Sequence, residues 1–200
     1  MNDYEPWLIP FVPAKGEVAI DVGANKGIWS RWLAGRFARV YAIEPNPEVL
    51  PELRTNLPSN VTVHEVAAWD EARILTFKRY ACPDHLSAYN EGTLLGQLGM
   101  VGPVLGEIEL NALPLDSLPI VGKVDFIKCD TEGGEFQCLL GAESLIAENR
   151  PALLIEVHAA ENGRRVSALL SEWGYHYQEI EHPLLPPDSP YRPEHFWIAA

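Results

Sequence analysis

The sequence predicts an α/β domain built on a largely parallel, doubly wound sheet. Short apolar runs alternate with helix-period segments along most of the chain, as parallel strands joined by crossover helices require. The first of these runs passes straight into a glycine-containing turn and a helix, in "VAIDVGANKGIWS" at 18–30. The apolar share, 47% of 200 residues, suffices for one sizeable core, so a single domain over 1–200 is expected.

Taken in order, "EVAIDV" (17–22) reads as a buried strand and "KGIWSRWLAGRF" (26–37) as a helix with Ile28, Trp32 and Leu33 on one face. "RVYAIE" (39–44) is the next strand. In "NPEVLPELRTNL" (46–57), Asn46 is the expected helix N-cap and Pro47 the first helical residue. Leu50, Leu53 and Leu57 share a face there, and Pro51 distorts the first turns. "VTVHEVA" (61–67) is a third strand and "RILTFKRY" (73–80) a further one. Residues 81–106 are rich in glycine with little periodicity, which predicts a loop or lid with one short helix. "EIELNALPLDSL" (107–118) gives a strand and a turn, and "VDFIKCD" (124–130) a buried strand. "TEGGEFQCLLGAESLIAE" follows as one helix with Phe136, Leu139 and Leu140 inward. After the strand "PALLIEVH" (151–158), the helix 162–174 places Val166, Leu169, Leu170 and Trp173 on one face and stops at Gly174. "YHYQEI" and "HFWIAA" close the sheet.

Bulk properties narrow the function. A formal net charge of −13 and a pI near 4.8 repel phosphate backbones, so nucleic acid is not expected as a partner. Cys82, Cys129 and Cys138 show no CxxC spacing; reduced thiols in a cytoplasmic protein are expected, with Cys129 and Cys138 as core packing. The opening segment lacks the basic and apolar regions of a signal peptide, and no stretch is apolar enough to span a membrane. The apolar "PWLIPFVP" fits a homodimer patch, core packing or a lid over a ligand site.

In a doubly wound sheet, ligands bind outside the carboxyl ends of the strands. The first such end reads Asp21-x-Gly23-x-x-x-Gly27. A carboxylate at that point opposes a pyrophosphate and suits an amino group or hydroxyls. Gly23 is expected to let the backbone approach a ligand, and Gly27 to let the helix pack close to the sheet. The other reading is a plain strand–turn–helix with Asp21 as cap. Glu44, at the tip of the second strand, has the position and chemistry to accept hydrogen bonds from a ribose diol.

The segments "DVGANKG", "AIEPNP", "LPLDSL", "VDFIKCDTEGGEFQCLLGA" and "RPALLIEVH" occur in the order seen in the FkbM-type methyltransferases, which this sequence resembles over roughly 16–160. The resemblance implies a Rossmann-like class I methyltransferase fold, with a mostly parallel seven-stranded sheet and helices on both faces. It implies S-adenosylmethionine as cofactor and a hydroxyl on a small metabolite, sugar or natural product as acceptor. Asp21, Gly23, Ala24, Asn25 and Gly27 would cradle the methionine part of the cofactor. Glu44, with Pro45 beside it, would hold the ribose, and Ala67 and Ala68 would border the adenine. The acidic strand ends agree with an ammonium, a sulfonium and a diol.

Transfer to a hydroxyl requires alignment and removal of its proton. Asp130, Glu132, Glu135 and His158 are the candidates, Glu135 being equally suited to the helix dipole or a cap. Glu156 and His158 stand two apart on a strand and so share a face. Asp130, Glu156 and His158 could converge to hold Mg²⁺. Alternatively His158 is the general base with the carboxylates orienting it, or a satisfied strand-end residue. Lys128 needs a carboxylate partner in its buried strand, and Glu156 on the adjacent strand is one candidate. His85, Ser87, Tyr89 and Asn90, with Glu156, are the candidate contacts to a hydroxylated acceptor. A carboxylate or nitrogen acceptor, and a non-catalytic cofactor-binding scaffold, are the competing readings.

Overall fold

The computed structural model describes residues 6–81, 86–88, 103–158, 160–181 and 195–200. Its centre is a seven-stranded sheet in the order β10-β11-β9-β8-β1-β2-β3. The strands are β1 (Gly16–Val22), β2 (Phe37–Ile43), β3 (Val61–His64), β8 (Val124–Cys129), β9 (Ala152–Val157), β10 (Tyr177–Glu181) and β11 (His195–Ala199). All neighbours pair in parallel except β11, which runs antiparallel to both β9 and β10. The reversal in strand order on either side of β1 creates the crevice where this class of sheet binds ligands.

Side-chain alternation along β1 explains why both sheet faces are covered. Val18, Ile20 and Val22 enter one core with Leu139, Ile146, Val166 and Leu170. These last belong to α3 (Glu135–Leu140), α4 (Glu143–Asn149) and α5 (Ala160–Glu172). Ala19 faces the opposite core with Leu8, Val12, Trp29, Leu33 and Phe126. There the helix α1 (Ile28–Leu33) and the 3₁₀ turn Pro6–Phe11 cover the sheet. Part of the apolar "PWLIPFVP" is therefore core packing: Leu8 is 1% exposed.

Several elements differ from the sequence reading. α1 ends at Leu33 rather than 37, because Phe37 opens β2, and its buried face is Trp29, Ser30 and Leu33. The helix expected over 46–57 shrinks to α2 (Leu50–Leu53). Asn46 does not cap it; its Oδ1 accepts the Glu48 N–H at 3.0 Å, a local turn that delays the helix. The single helix expected after the 124–130 strand is two, α3 and α4. A Cβ on Gly141 would lie 1.9 Å from the Trp69 carbonyl oxygen, so the chain passes too close to another backbone to continue as one helix.

A second sheet was not anticipated as such. β4 (Ala67–Ala68), β7 (Val104–Leu113), β5 (Arg73–Tyr80) and β6 (Leu86–Ala88) form it in that order. The run read as one strand over 61–67 thus divides between the two sheets. The inner face of the small sheet has its own apolar cluster of Ala67, Trp69, Phe77 and Ala112, backed by Leu75, Ile108 and Leu110. Of the expected loop 81–106, residues 82–85 and 89–102 lie outside the described residues. Among the described residues, no helix is long and apolar enough to cross a membrane.

Candidate active site

A cleft of about 640 Å³, partly open to solvent, lies at the carboxyl ends of β1, β2 and β8. Val22, Gly23 and Asn25 line it from the first turn, Ile43, Glu44 and Pro45 from the second strand end. Ala67, Ala68, Trp69 and Phe77 come from the small sheet, and Asp130, Thr131 and Glu132 from the turn after β8.

The first turn is shaped by its backbone. Gly23, Asn25 and Gly27 all have left-handed φ, at 71°, 48° and 78°. A Cβ on Gly23 would come within 1.7 Å of the Asp130 carbonyl oxygen. Its glycine therefore serves the close approach of the β1 and β8 ends, in addition to lining the cleft. A Cβ on Gly27 would meet the Leu53 side chain at 2.4 Å, so this glycine admits α2 rather than the sheet. The Gly23 and Ala24 N–H groups both donate to the Ile43 carbonyl, at 2.9 and 3.1 Å.

Glu44 completes the turn. Its Oε2 accepts the Asn25 N–H and its Oε1 the Asn46 N–H, both at 2.7 Å. Burial drives its pKa up to about 7, despite these two hydrogen bonds. Among the described residues no cation lies within ion-pair distance of it. A buried carboxylate with lone pairs still facing a cleft fits a ligand that brings hydroxyl donors and positive charge. S-adenosylmethionine, with its diol and sulfonium, meets that requirement; a phosphate does not.

Asp21 stands elsewhere. It is fully buried, accepts from the Ser30 hydroxyl at 2.5 Å and lies 3.7 Å from the Lys128 ammonium. It does not line the cleft, and neither Ala24 nor Gly27 does. Burial raises the Asp21 pKa against the opposing pull of Lys128. The expected pairing of Lys128 with Glu156 is corrected: the ammonium sits 3.2 Å from Asp130 Oδ2 and on Asp21, and Glu156 acts on it at longer range. Register explains this, since Asp21 lies opposite Lys128 on the adjoining strand. These carboxylates keep Lys128 firmly protonated in spite of complete burial.

The turn after β8 is built around Glu135, which is 0% exposed. Its Oε1 accepts the Gly133 N–H at 2.9 Å, the Thr131 N–H at 3.2 Å and the Thr131 hydroxyl at 3.1 Å. The same oxygen lies 3.0 Å from His158 Nδ1, and Oε2 accepts from the Asn162 amide. Glu135 thus ties turn, strand end and α5 together, and it does not reach the cleft. Glu132 projects into the cleft from a left-handed residue, φ 55°.

His158 is 1% exposed and lies behind that wall. Its Nε2 is 3.6 Å from Glu132 and 3.8 Å from Glu156. Burial alone would lower its pKa, but Glu132 and Glu135, then Glu156, overcome that and hold it well above the usual value. Both ring nitrogens therefore face carboxylates, Nδ1 that of Glu135 and Nε2 those of Glu132 and Glu156. The structure does bring Asp130, Glu156 and His158 together, with ligand atoms within 4.8 Å of one another. His85, Tyr89 and Asn90 lie outside the described residues, and Ser87 stands on β6 opposite Lys78. Cys129 and Cys138 are buried packing residues, as expected.

Sequence reasoning assigns no role to Trp69, Phe77, Thr131, Ser30 or Asn162, although Trp69 and Thr131 fall at strand ends, where this class of sheet binds ligands. Asn162 carries no such signal, because its partner Glu135 is 27 residues away on another element.

Comparison with known proteins places this architecture. A segment of 58 residues is 45% identical to the Methanothermobacter thermautotrophicus protein "Probable cobalt-precorrin-6B C(15)-methyltransferase (decarboxylating)", a match over 26% of this chain and 30% of that one. Another of 54 residues is 39% identical to ribosomal RNA small subunit methyltransferase A of Rubrobacter xylanophilus, over 26% and 21% of the two chains. The crystal structure of methyltransferase FkbM from Methylobacillus flagellatus KT superposes with a TM-score of 0.65 at 23% identity, covering 92% of this chain and 44% of that one. The chain therefore spans less than half the length of each of these relatives. The family model for the methyltransferase FkbM domain matches residues 21–177, from the buried Asp21 through both acidic strand ends to the start of β10. On that match, this chain belongs to the FkbM family of S-adenosylmethionine-dependent methyltransferases.

Proposed function

We propose that this chain is a single catalytic domain that methylates a hydroxyl oxygen of a small metabolite, sugar or natural product. The observation that carries the reading is the cleft whose titratable lining is carboxylate at both ends, Glu44 at one and Asp130 with Glu132 at the other. Glu44 takes the ribose diol, with Gly23, Asn25 and Pro45 around the donor. S-adenosylmethionine supplies an electrophilic methyl group on a sulfonium and leaves as a neutral thioether. Asp130 and Glu132 orient the acceptor hydroxyl and take its proton. Lys128 fixes Asp130, while His158 stands behind Glu132 with Nε2 3.6 Å from it.

The acidic lining favours a neutral hydroxyl over a carboxylate acceptor, which it would repel. The net charge of −13 disfavours a nucleic-acid acceptor in the same way. A divalent ion at Asp130, Glu156 and His158 would have to compete with the Lys128 ammonium for Asp130 and with Glu132 and Glu135 for the ring nitrogens of His158. Transfer is therefore expected to survive a chelator; its loss, restored by Mg²⁺, would reinstate the metal reading. The direct test is calorimetric titration of S-adenosylmethionine and its demethylated product into wild type and Glu44→Ala. Micromolar binding that collapses in the variant supports the assignment. No binding to folded wild type overturns the assignment and leaves a scaffold that binds no cofactor, or a site completed by a partner.

A further inference from the structure

Two segments that line the cleft come from different sheets and are joined by an ion pair. Pro45 lines it from the turn after β2, and Phe77 lines it from β5 of the small sheet. Glu48 stands three residues past Pro45. Arg79 stands two residues past Phe77, on the same face of the strand. Arg79 Nε donates to Glu48 Oε1 at 2.8 Å, and its Nη2 reaches the same oxygen. The two side chains are 37% and 29% exposed, so this pair is less open to solvent than Arg54 and Glu65.

The partners are anchored differently. Arg79 is fixed by its backbone, paired with Gly106 on β7 and Leu86 on β6. Glu48 belongs to the turn between β2 and α2. Its N–H donates to Asn46 Oδ1 at 3.0 Å, and the Asn46 N–H donates to Glu44 Oε1 at 2.7 Å. The contacts thus run without a break from a guanidinium on the small sheet, through Glu48 and Asn46, to the carboxylate proposed to take the ribose.

We propose that Arg79 and Glu48 form a clasp that holds the Glu44 turn against the small sheet and so retains the nucleoside end of the donor and of its demethylated product. The inference rests on the methyltransferase reading and adds two positioning residues to it. Neither side chain lines the cleft, so both act through the turn and not by touching the ligand. A contact that holds the walls around a seated ligand shows mainly in the rate of departure. Partial exposure leaves the pair open to screening by salt.

The test measures S-adenosylhomocysteine binding by surface plasmon resonance on wild type, Arg79→Ala, Glu48→Gln and the double variant. This ligand carries no sulfonium, so long-range attraction contributes little to its rates. Each single variant is expected to release it about threefold to fivefold faster, with association kept within about twofold. The double variant is expected to release it no faster than either single one, because the same contact is lost in all three. Wild-type release is expected to quicken between about 0.05 and 0.5 M NaCl, and release from the variants to stay level. In the unliganded protein, the Asn46 and Glu48 amides are expected to exchange faster in Arg79→Ala at unchanged Tm. Glu48→Gln, a change in a turn, keeps the rate test available should Arg79→Ala fail to fold. Unchanged release from the folded variants overturns the inference, as do additive effects in the double variant, salt-independent release from wild type or unchanged amide exchange. Failure of folded wild type to bind S-adenosylhomocysteine is a distinct result: it overturns the methyltransferase reading itself, and this inference with it.

Discussion

The two ends of the cleft are held by different means. At β1 and β2, two backbone N–H groups, those of the left-handed Asn25 and of Asn46, donate to one carboxylate, Glu44. At β8 and β9, side chains hold one another: Lys128 with Asp21 and Asp130, and Glu135 with Thr131, Asn162 and His158. The first arrangement is local and survives most side-chain changes that keep the turn. The second is a buried charge network, in which removing one member strands the others. The binding end is therefore built from backbone, and the proposed chemical end from mutually dependent side chains.

The largest expected effect breaks the second end. Lys128→Met leaves Asp21 without its buried counter-charge and should cost about 3–5 kcal/mol in urea unfolding. Asp21→Asn in the same chain should recover part of that loss, because it removes the stranded charge.

Glu44 tests the first end through pH. Its pKa rises from 4.5 to about 7 on folding. Between those values the folded state holds a proton that the unfolded state has lost, so unliganded stability falls as pH rises, by about 3 kcal/mol in total. Glu44→Gln should flatten that part of the curve of Tm against pH. Donor binding should show the opposite trend, weakening as pH falls below about 7, since protonated Glu44 loses acceptor capacity and charge.

Gly23→Ala tests where the two ends touch. The added methyl meets the Asp130 carbonyl and imposes a left-handed φ on alanine, at a cost of about 1–3 kcal/mol. Donor affinity should fall more steeply than stability, because both cleft ends shift. The smallest effect is the control. Arg54 and Glu65 form an ion pair that is half exposed on both sides, so Arg54→Ala should change stability by less than about 1 kcal/mol. A larger value would mean that burial is not what separates strong from weak charge pairs here.

The sequence by itself determined the parallel sheet, its strand ends and the turn proposed to hold the donor. These follow from local signals: apolar runs, glycine spacing and a carboxylate at the tip of the second strand. It also brought out Asp130 and Glu132 at the end of one strand, and Glu156 and His158, which strand periodicity places on one face of the next. What only the tertiary structure decided was which of these groups meet. Asp21 and Lys128 pair because parallel register sets them opposite each other, and His158 is surrounded by carboxylates from three segments. Register between distant strands sets their ionisation, and no local pattern encodes it. The small sheet likewise needed long-range pairing to bring Trp69 and Phe77 onto the cleft, where their hydrophobicity alone would have suited any core.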